Sequence, residues 1–147
     1  MTEPTPAFAK LSILLVEDEL FAQKLAVRVL NQIGVKNVAV AKSGTDAMTI
    51  LGYPTSKFDL IISDWEMPEM TGLNLLKRVR ETWPDMPFIM LTGKASGDFV
   101  LAAKEHGVNG YIAKPFAPNQ LIAKIASVLR IKMEGLEIRF GHRKAVV

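Results

Sequence analysis

Hydrophobic positions along the chain fall into two alternating kinds, short unbroken runs and longer stretches with helical spacing. The run SILLV (12–16) suits a strand buried on both faces. From Leu20 to Ile33, Phe21, Leu25 and Val29 recur every four residues, with Leu30 and Ile33 beside them. That spacing predicts a helix with one apolar face, ended by Gly34. VKNVAVA (35–41) predicts a second strand, and Ser43 is placed to cap a helix through Ala47, Met48 and Leu51. Phe58 to Ser63 predicts the third strand. A helix opened by Thr71 or Gly72 then carries Leu73, Leu76 and Val79 inward and closes before Pro84. PFIMLT (87–92) predicts the fourth strand, and a helix from Ser96 runs through Val100 and Ala103 to Gly107. GYIA (110–113) predicts a short fifth strand, and Pro118 opens a last helix lined by Leu121, Ile125 and Val128.

These are five strand–helix units. Strands apolar on both faces and separated by helices imply an α/β fold, a doubly wound five-stranded parallel sheet with five helices. Ligands of such sheets bind beyond the carboxyl ends of the strands. The polar residues gather there. The first strand is followed by Glu17-Asp18-Glu19, the third by Asp64, the fourth ends in Thr92, and the fifth is followed by Lys114-Pro115. Carboxylates brought together repel one another unless a cation joins them. An all-oxygen donor set calls for a hard cation, and Mg²⁺ fits. A threonine hydroxyl and a lysine ammonium are donors suited to phosphoryl oxygens. A metal, a carboxylate nucleophile and positive donors are the parts that phosphoryl transfer requires.

Composition narrows the field without changing this picture. Apolar residues make up 49% of 147 and charged residues 22%, the balance of a globular domain. The absence of cysteine excludes disulfides and thiolate metal sites. A net charge of +3 is too modest to imply nucleic acid, and no apolar run suggests a signal peptide or membrane span, so the expectation is a cytoplasmic protein.

The segments LLVEDE, DWEMPEMTG, MLTG and YIAKPF, in that order and each at the end of its expected strand, closely resemble the response-regulator receiver domain of two-component signalling. The resemblance divides the chain into an N-terminal arm (1–10), a receiver domain (11–131) and a C-terminal tail (132–147), and it implies the strand order 2-1-3-4-5. It implies that Asp64 is the phosphoacceptor, and that Glu17, Asp18, Asp64 and the Glu66 backbone carbonyl hold Mg²⁺. Thr92 and Lys114 would bind the phosphoryl group, Tyr111 would be the switch aromatic, and Pro115 would follow a cis peptide. The phosphodonor would be a histidine kinase or a histidine phosphotransfer protein. The output would be a protein target or self-association through the face of the fourth helix, fifth strand and fifth helix, without nucleic acid or membrane. Such a protein takes part in its own phosphorylation and dephosphorylation and is not a turnover enzyme.

Glu17 stands where the family often has aspartate. Glu66 and Lys94, each two residues past a site residue, are candidates for an ion pair that tunes the lifetime of the acyl phosphate. Blander readings stand beside these. Glu17 and Asp18 also favour a helix N-terminus, Tyr111 and Phe99 also suit packing, and His106 suits the dipole at a helix C-terminus. The alternatives are a phosphorylation-independent adaptor with the same fold, or a fragment of a longer DNA-binding regulator. A hydrolase of the haloacid dehalogenase type would want an aspartate where Glu66 stands and a later acidic pair.

Overall fold

The computed structural model describes residues 5–93 and 97–131. Five strands, β1 (Ser12–Val16), β2 (Asn37–Ala41), β3 (Leu60–Asp64), β4 (Phe88–Thr92) and β5 (Gly110–Ala113), form one sheet in the order β2-β1-β3-β4-β5. Every pair is parallel. The helices are α1 (Leu20–Gln32), α2 (Gly44–Leu51), α3 (Gly72–Thr82), α4 (Gly97–Glu105) and α5 (Pro118–Leu129). Both the α/β class and the strand order agree with the sequence reading. No helix among the described residues is long and apolar enough to cross a membrane.

The period of two along each strand sorts the core into two layers. Ile13, Leu15, Leu60, Ile62, Ile89, Leu91 and Ile112 face one way, joined by Leu30 of α1, by Ile33 directly after it and by Leu121, Ile122 and Ile125 of α5. Leu14, Val16, Ile61, Phe88 and Met90 face the other way, against Ala47 and Leu51 of α2, Leu75, Leu76 and Val79 of α3 and Ala103 of α4. Leu60–Asp64 and Phe88–Thr92 are buried at every position, so these two strands form the rigid centre of the sheet.

Local chemistry fixes the helix starts. The Ser43 hydroxyl accepts from the Asp46 N–H at 3.0 Å, and the Thr71 hydroxyl from the Asn74 N–H at 3.2 Å. Gly34 has φ +113°, and a side chain there would strike the Thr5 backbone. Thr5 sits close because its N–H donates to the Ile33 carbonyl at 2.8 Å. A 3-10 turn, Pro6–Phe8, follows and buries Phe8 completely in the layer of α1 and α5. Residues 5–10 of the N-terminal arm are thus packed onto the domain.

The inward face expected for α1 differs. Phe21 is 72% exposed and Leu25 50%, while Leu30 and Ile33 are buried and Val29 half-buried. A four-residue step overshoots a turn of 3.6 residues by about 40°. A row at that spacing therefore walks around the helix, from solvent at Phe21 toward the core at Val29. In α3, Leu75 and not Leu73 joins Leu76 and Val79 at the centre.

Candidate phosphoryl-acceptor site

The site forms where β1 and β3 end beside each other, with Val16 opposite Ser63. β3 runs one residue further than its apolar pattern suggests, so Asp64 is the last residue of a buried strand. Its backbone is fixed on both sides. The Ser63 hydroxyl donates to the Asp64 carbonyl at 2.9 Å, and the Trp65 N–H donates to Leu91 at 2.8 Å. The chain then returns through Glu69, in the left-handed region at φ 69°, to Gly72, whose N–H donates to the Trp65 carbonyl at 2.8 Å. A side chain at position 72 would collide with the Asp64 carbonyl and with the Trp65 Cα. Glycine therefore lets α3 start directly under the loop that follows Asp64.

Glu17 follows β1 and is tethered in three places. Its N–H donates to Ala41 at 3.0 Å, its carbonyl accepts from the Gln23 amide at 2.7 Å, and its carboxylate accepts from the Glu19 N–H at 3.2 Å. One oxygen each from Glu17, Asp18 and Asp64 lies within 4.8 Å of the others. Glu17 and Asp64 are buried, and Asp18 is exposed. The Lys114 ammonium bridges the two buried acids, at 2.9 Å from Asp64 Oδ1 and 3.4 Å from Glu17 Oε1. Its position follows from the backbone, where the Lys114 N–H donates to the Thr92 carbonyl at 2.7 Å and the Lys114–Pro115 peptide is cis.

The electrostatics follow from this geometry. Burial pushes the Glu17 carboxyl above the usual carboxylate range. The Glu19 N–H opposes that rise and the Asp64 charge adds to it. Burial works against the Lys114 ammonium, but Asp64 and Glu17 outweigh it and hold its pKa above the ordinary lysine value. Three carboxylates thus meet one ammonium, with an all-oxygen donor set open on the Asp18 side. Those are the requirements of a hard divalent cation, and Glu17, Asp18 and Asp64 are the side chains that fit it.

Thr92 is completely buried one strand over. The Tyr111 hydroxyl is buried without a completed hydrogen bond, and burial raises its pKa while the nearby Thr92 hydroxyl tempers the rise. Asp64, Glu17, Asp18, Thr92, Lys114 and Tyr111 are therefore gathered at one end of the sheet. Glu66 is exposed on the loop after Trp65, and Lys94 lies outside the described residues. Two features had no clear reading in the sequence. Gln23 tethers Glu17, and Trp65 packs on Phe99 of α4 with ring centroids 4.9 Å apart at 54°. The Trp65 contact joins the loop that follows Asp64 to the start of α4. Only its position directly after Asp64 hinted at it.

The comparisons agree with this arrangement. The family model of the response regulator receiver domain matches residues 13–126. The chemotaxis protein CheY of Pseudomonas aeruginosa is 37% identical over 120 residues, spanning 80% of this chain and 95% of the relative. A CheY homologue of Campylobacter jejuni is 36% identical over 121 residues, spanning 81% and 92%. Among solved structures, Vibrio cholerae CheY4 superposes with a TM-score of 0.72 at 31% identity, covering 80% of this chain and 98% of that one. A receiver domain protein from Clostridium thermocellum gives 0.75 at 27%, covering 82% and 94%. With the strand order, the acidic cluster and the family match all pointing the same way, the chain belongs to the response regulator receiver domains, the signal-receiving modules of two-component systems.

Proposed function

We propose that Asp64 accepts a phosphoryl group from a phosphohistidine donor. The observation that carries this reading is the Lys114 bridge between Asp64 and Glu17. An ammonium is already in place where negative charge would accumulate on the incoming group. In the transfer, an Asp64 carboxylate oxygen forms a bond to phosphorus, the donor's N–P bond breaks, and the imidazole leaves with the electron pair. Glu17, Asp18 and Asp64, with the Glu66 backbone carbonyl, would hold Mg²⁺, which when bound offsets the negative charge of the phosphoryl oxygens. Lys114 then pairs with one phosphoryl oxygen, and the Thr92 hydroxyl donates to another.

The buried, unbonded Tyr111 hydroxyl supports a switch role for that side chain. Once Thr92 turns to the phosphoryl group, the surroundings of Tyr111 on the same sheet face change. The output surface is the face of α4, β5 and α5, where Leu101 is 57% exposed and Ala103 is the one buried residue of α4. This face binds a protein target or a second copy. The phosphodonor is a histidine kinase or phosphotransfer protein in the cytoplasm. The domain turns over its own acyl phosphate and no other substrate.

Intact mass after incubation with acetyl phosphate tests the reading. One phosphoryl group is expected on the wild type with Mg²⁺, and none with EDTA or on Asp64→Asn. An adduct on Asp64→Asn would place the acceptor elsewhere. No adduct on any form, with no beryllofluoride binding, would leave the phosphorylation-independent adaptor as the reading.

A further inference from the structure

The three acids of the site are mounted differently. Asp64 is the last residue of a buried strand, and the Ser63 hydroxyl and the Trp65 N–H pin the backbone around it. Glu17 stands one residue past β1, yet its N–H still donates to the Ala41 carbonyl at 3.0 Å, so its N-terminal side keeps the register of the sheet. Asp18 has neither support. It is exposed and lies between β1 and α1, outside both, so packing does not orient its side chain. Where Asp18 points relative to Glu17 depends on the planar peptide that joins them.

Gln23 holds that peptide. Its side-chain amide donates to the Glu17 carbonyl at 2.7 Å, reaching back 6 residues. The Glu17 carbonyl is the oxygen of the Glu17–Asp18 peptide, so this one bond sets the rotation of the plane from which both side chains depart. The amide is itself firmly based. The Gln23 N–H donates to the Glu19 carbonyl at 2.9 Å and closes the first turn of α1, and the residue is half-buried. The same turn lacks an ordinary cap, since the Glu19 side chain makes no capping bond and no acid follows it in the first turn. Instead the Glu19 N–H donates to the Glu17 carboxylate at 3.2 Å. The start of α1 thus holds the two acids that precede it, through Glu19 at the carboxylate and through Gln23 at the backbone.

We propose that Gln23 is a positioning residue for the divalent cation, fixing the Glu17–Asp18 peptide so that both carboxylates meet Asp64 in the geometry that Mg²⁺ requires. The inference rests on the Mg²⁺ reading of this site given above. A group that orients metal ligands without touching the ion typically carries about 10- to 100-fold in affinity. Gln23 bonds a backbone carbonyl and not a carboxylate, so its share is at the lower end, about tenfold. The tether also bears on which ion is preferred. Mg²⁺ demands a near-ideal octahedron of oxygens, while Ca²⁺ accepts flexible arrangements with more of them. Releasing the peptide therefore harms Mg²⁺ binding more than Ca²⁺ binding.

Calorimetric titration of Mg²⁺ and of Ca²⁺ into the full chain reads the effect without any phosphoryl transfer. Gln23→Met keeps the length and helix propensity of glutamine and has no donor, so α1 is retained. Its Kd for Mg²⁺ should rise about tenfold and its Kd for Ca²⁺ less than about threefold. Gln23→Asn carries the amide on a shorter arm and should lose Mg²⁺ affinity as Gln23→Met does. Phe8→Leu, a change in the buried layer of α1 and α5, lowers Tm and should leave both Kd values as in the wild type. Unchanged Mg²⁺ affinity in Gln23→Met overturns the inference and leaves the Mg²⁺ reading standing. An equal loss for both ions overturns the geometric role, and a like loss in Phe8→Leu traces the effect to stability and overturns it too. A wild type that takes up no Mg²⁺, or takes it up no better than Asp18→Asn, overturns the reading of the site and the inference with it.

Discussion

Replacing Glu17 by glutamine should make the metal-free domain more stable, although it removes an ion pair. The residue is 5% exposed, and its charge stands within 4.8 Å of Asp64 and 3.4 Å from the Lys114 ammonium. At an effective dielectric of about 20, the Asp64 repulsion costs at least ~3.5 kcal/mol and the Lys114 attraction returns ~5 kcal/mol. Those terms largely offset each other, and the burial of a carboxylate, the largest influence on Glu17, tips the sign. Glutamine removes the burial cost and can still accept the Glu19 N–H. The net gain is about 1 kcal/mol, or about 4 °C in Tm. The pH dependence follows from the same shift. The folded-state pKa of Glu17 is raised, so the penalty is fully present above it and disappears as pH falls through it toward the ordinary glutamate value of 4.5. The advantage of Glu17→Gln in EDTA should therefore be greatest near neutral pH and vanish below about pH 4. Mg²⁺ should reverse the order. At a hundredfold excess over Kd it stabilises the wild type by about 2.7 kcal/mol, or about 10 °C, and the variant by much less. Calorimetry in EDTA and in Mg²⁺ makes the comparison. If Glu17→Gln melts below wild type in EDTA, or gains as much from Mg²⁺, the reasoning from buried charge is wrong.

Three further outcomes are expected. Phe8→Ala should cost about 3–5 kcal/mol in urea unfolding, because Phe8 is fully buried; a cost under about 1 kcal/mol would detach residues 5–10 from the core. Gly72→Ala should lower stability by more than about 2 kcal/mol, because the new Cβ meets the Asp64 and Trp65 backbone; no loss would mean that the loop can yield. A double-mutant cycle of Trp65→Ala and Phe99→Ala should show about 1 kcal/mol of coupling; additivity would dissolve the link between the acceptor loop and α4.

Legibility in the sequence had a physical limit that these residues make plain. A strand buried on both faces leaves a continuous apolar run, and its end is marked when a carboxylate follows, so Asp64, Thr92 and Lys114 could be placed from pattern alone. α1 was harder, because a helix's inward side depends on what covers it. Its four-residue row of Phe21, Leu25 and Val29 describes a helix correctly and its buried face only in part. Phe8 had no periodicity to announce it, since its burial depends on Thr5 meeting Ile33 across a turn that only Gly34 permits. Long-range polar contacts were equally silent. The Arg80 guanidinium donates to the Gly107 and Met86 carbonyls and to Asn109 Oδ1, tying the end of α3 to the start of β5. Nothing at position 80 alone foretells a partner 29 residues away. What the sequence shows clearly is what one strand or one helix decides by itself. The acceptor's surroundings are decided between elements, by Lys114 from β5 reaching across to acids that follow β1 and end β3. That separation also bears on the switch proposed above. On that proposal, a charge added at Asp64 would alter the balance of groups mounted on three strands, of which β5 alone lies at the edge of the sheet, with only β4 beside it.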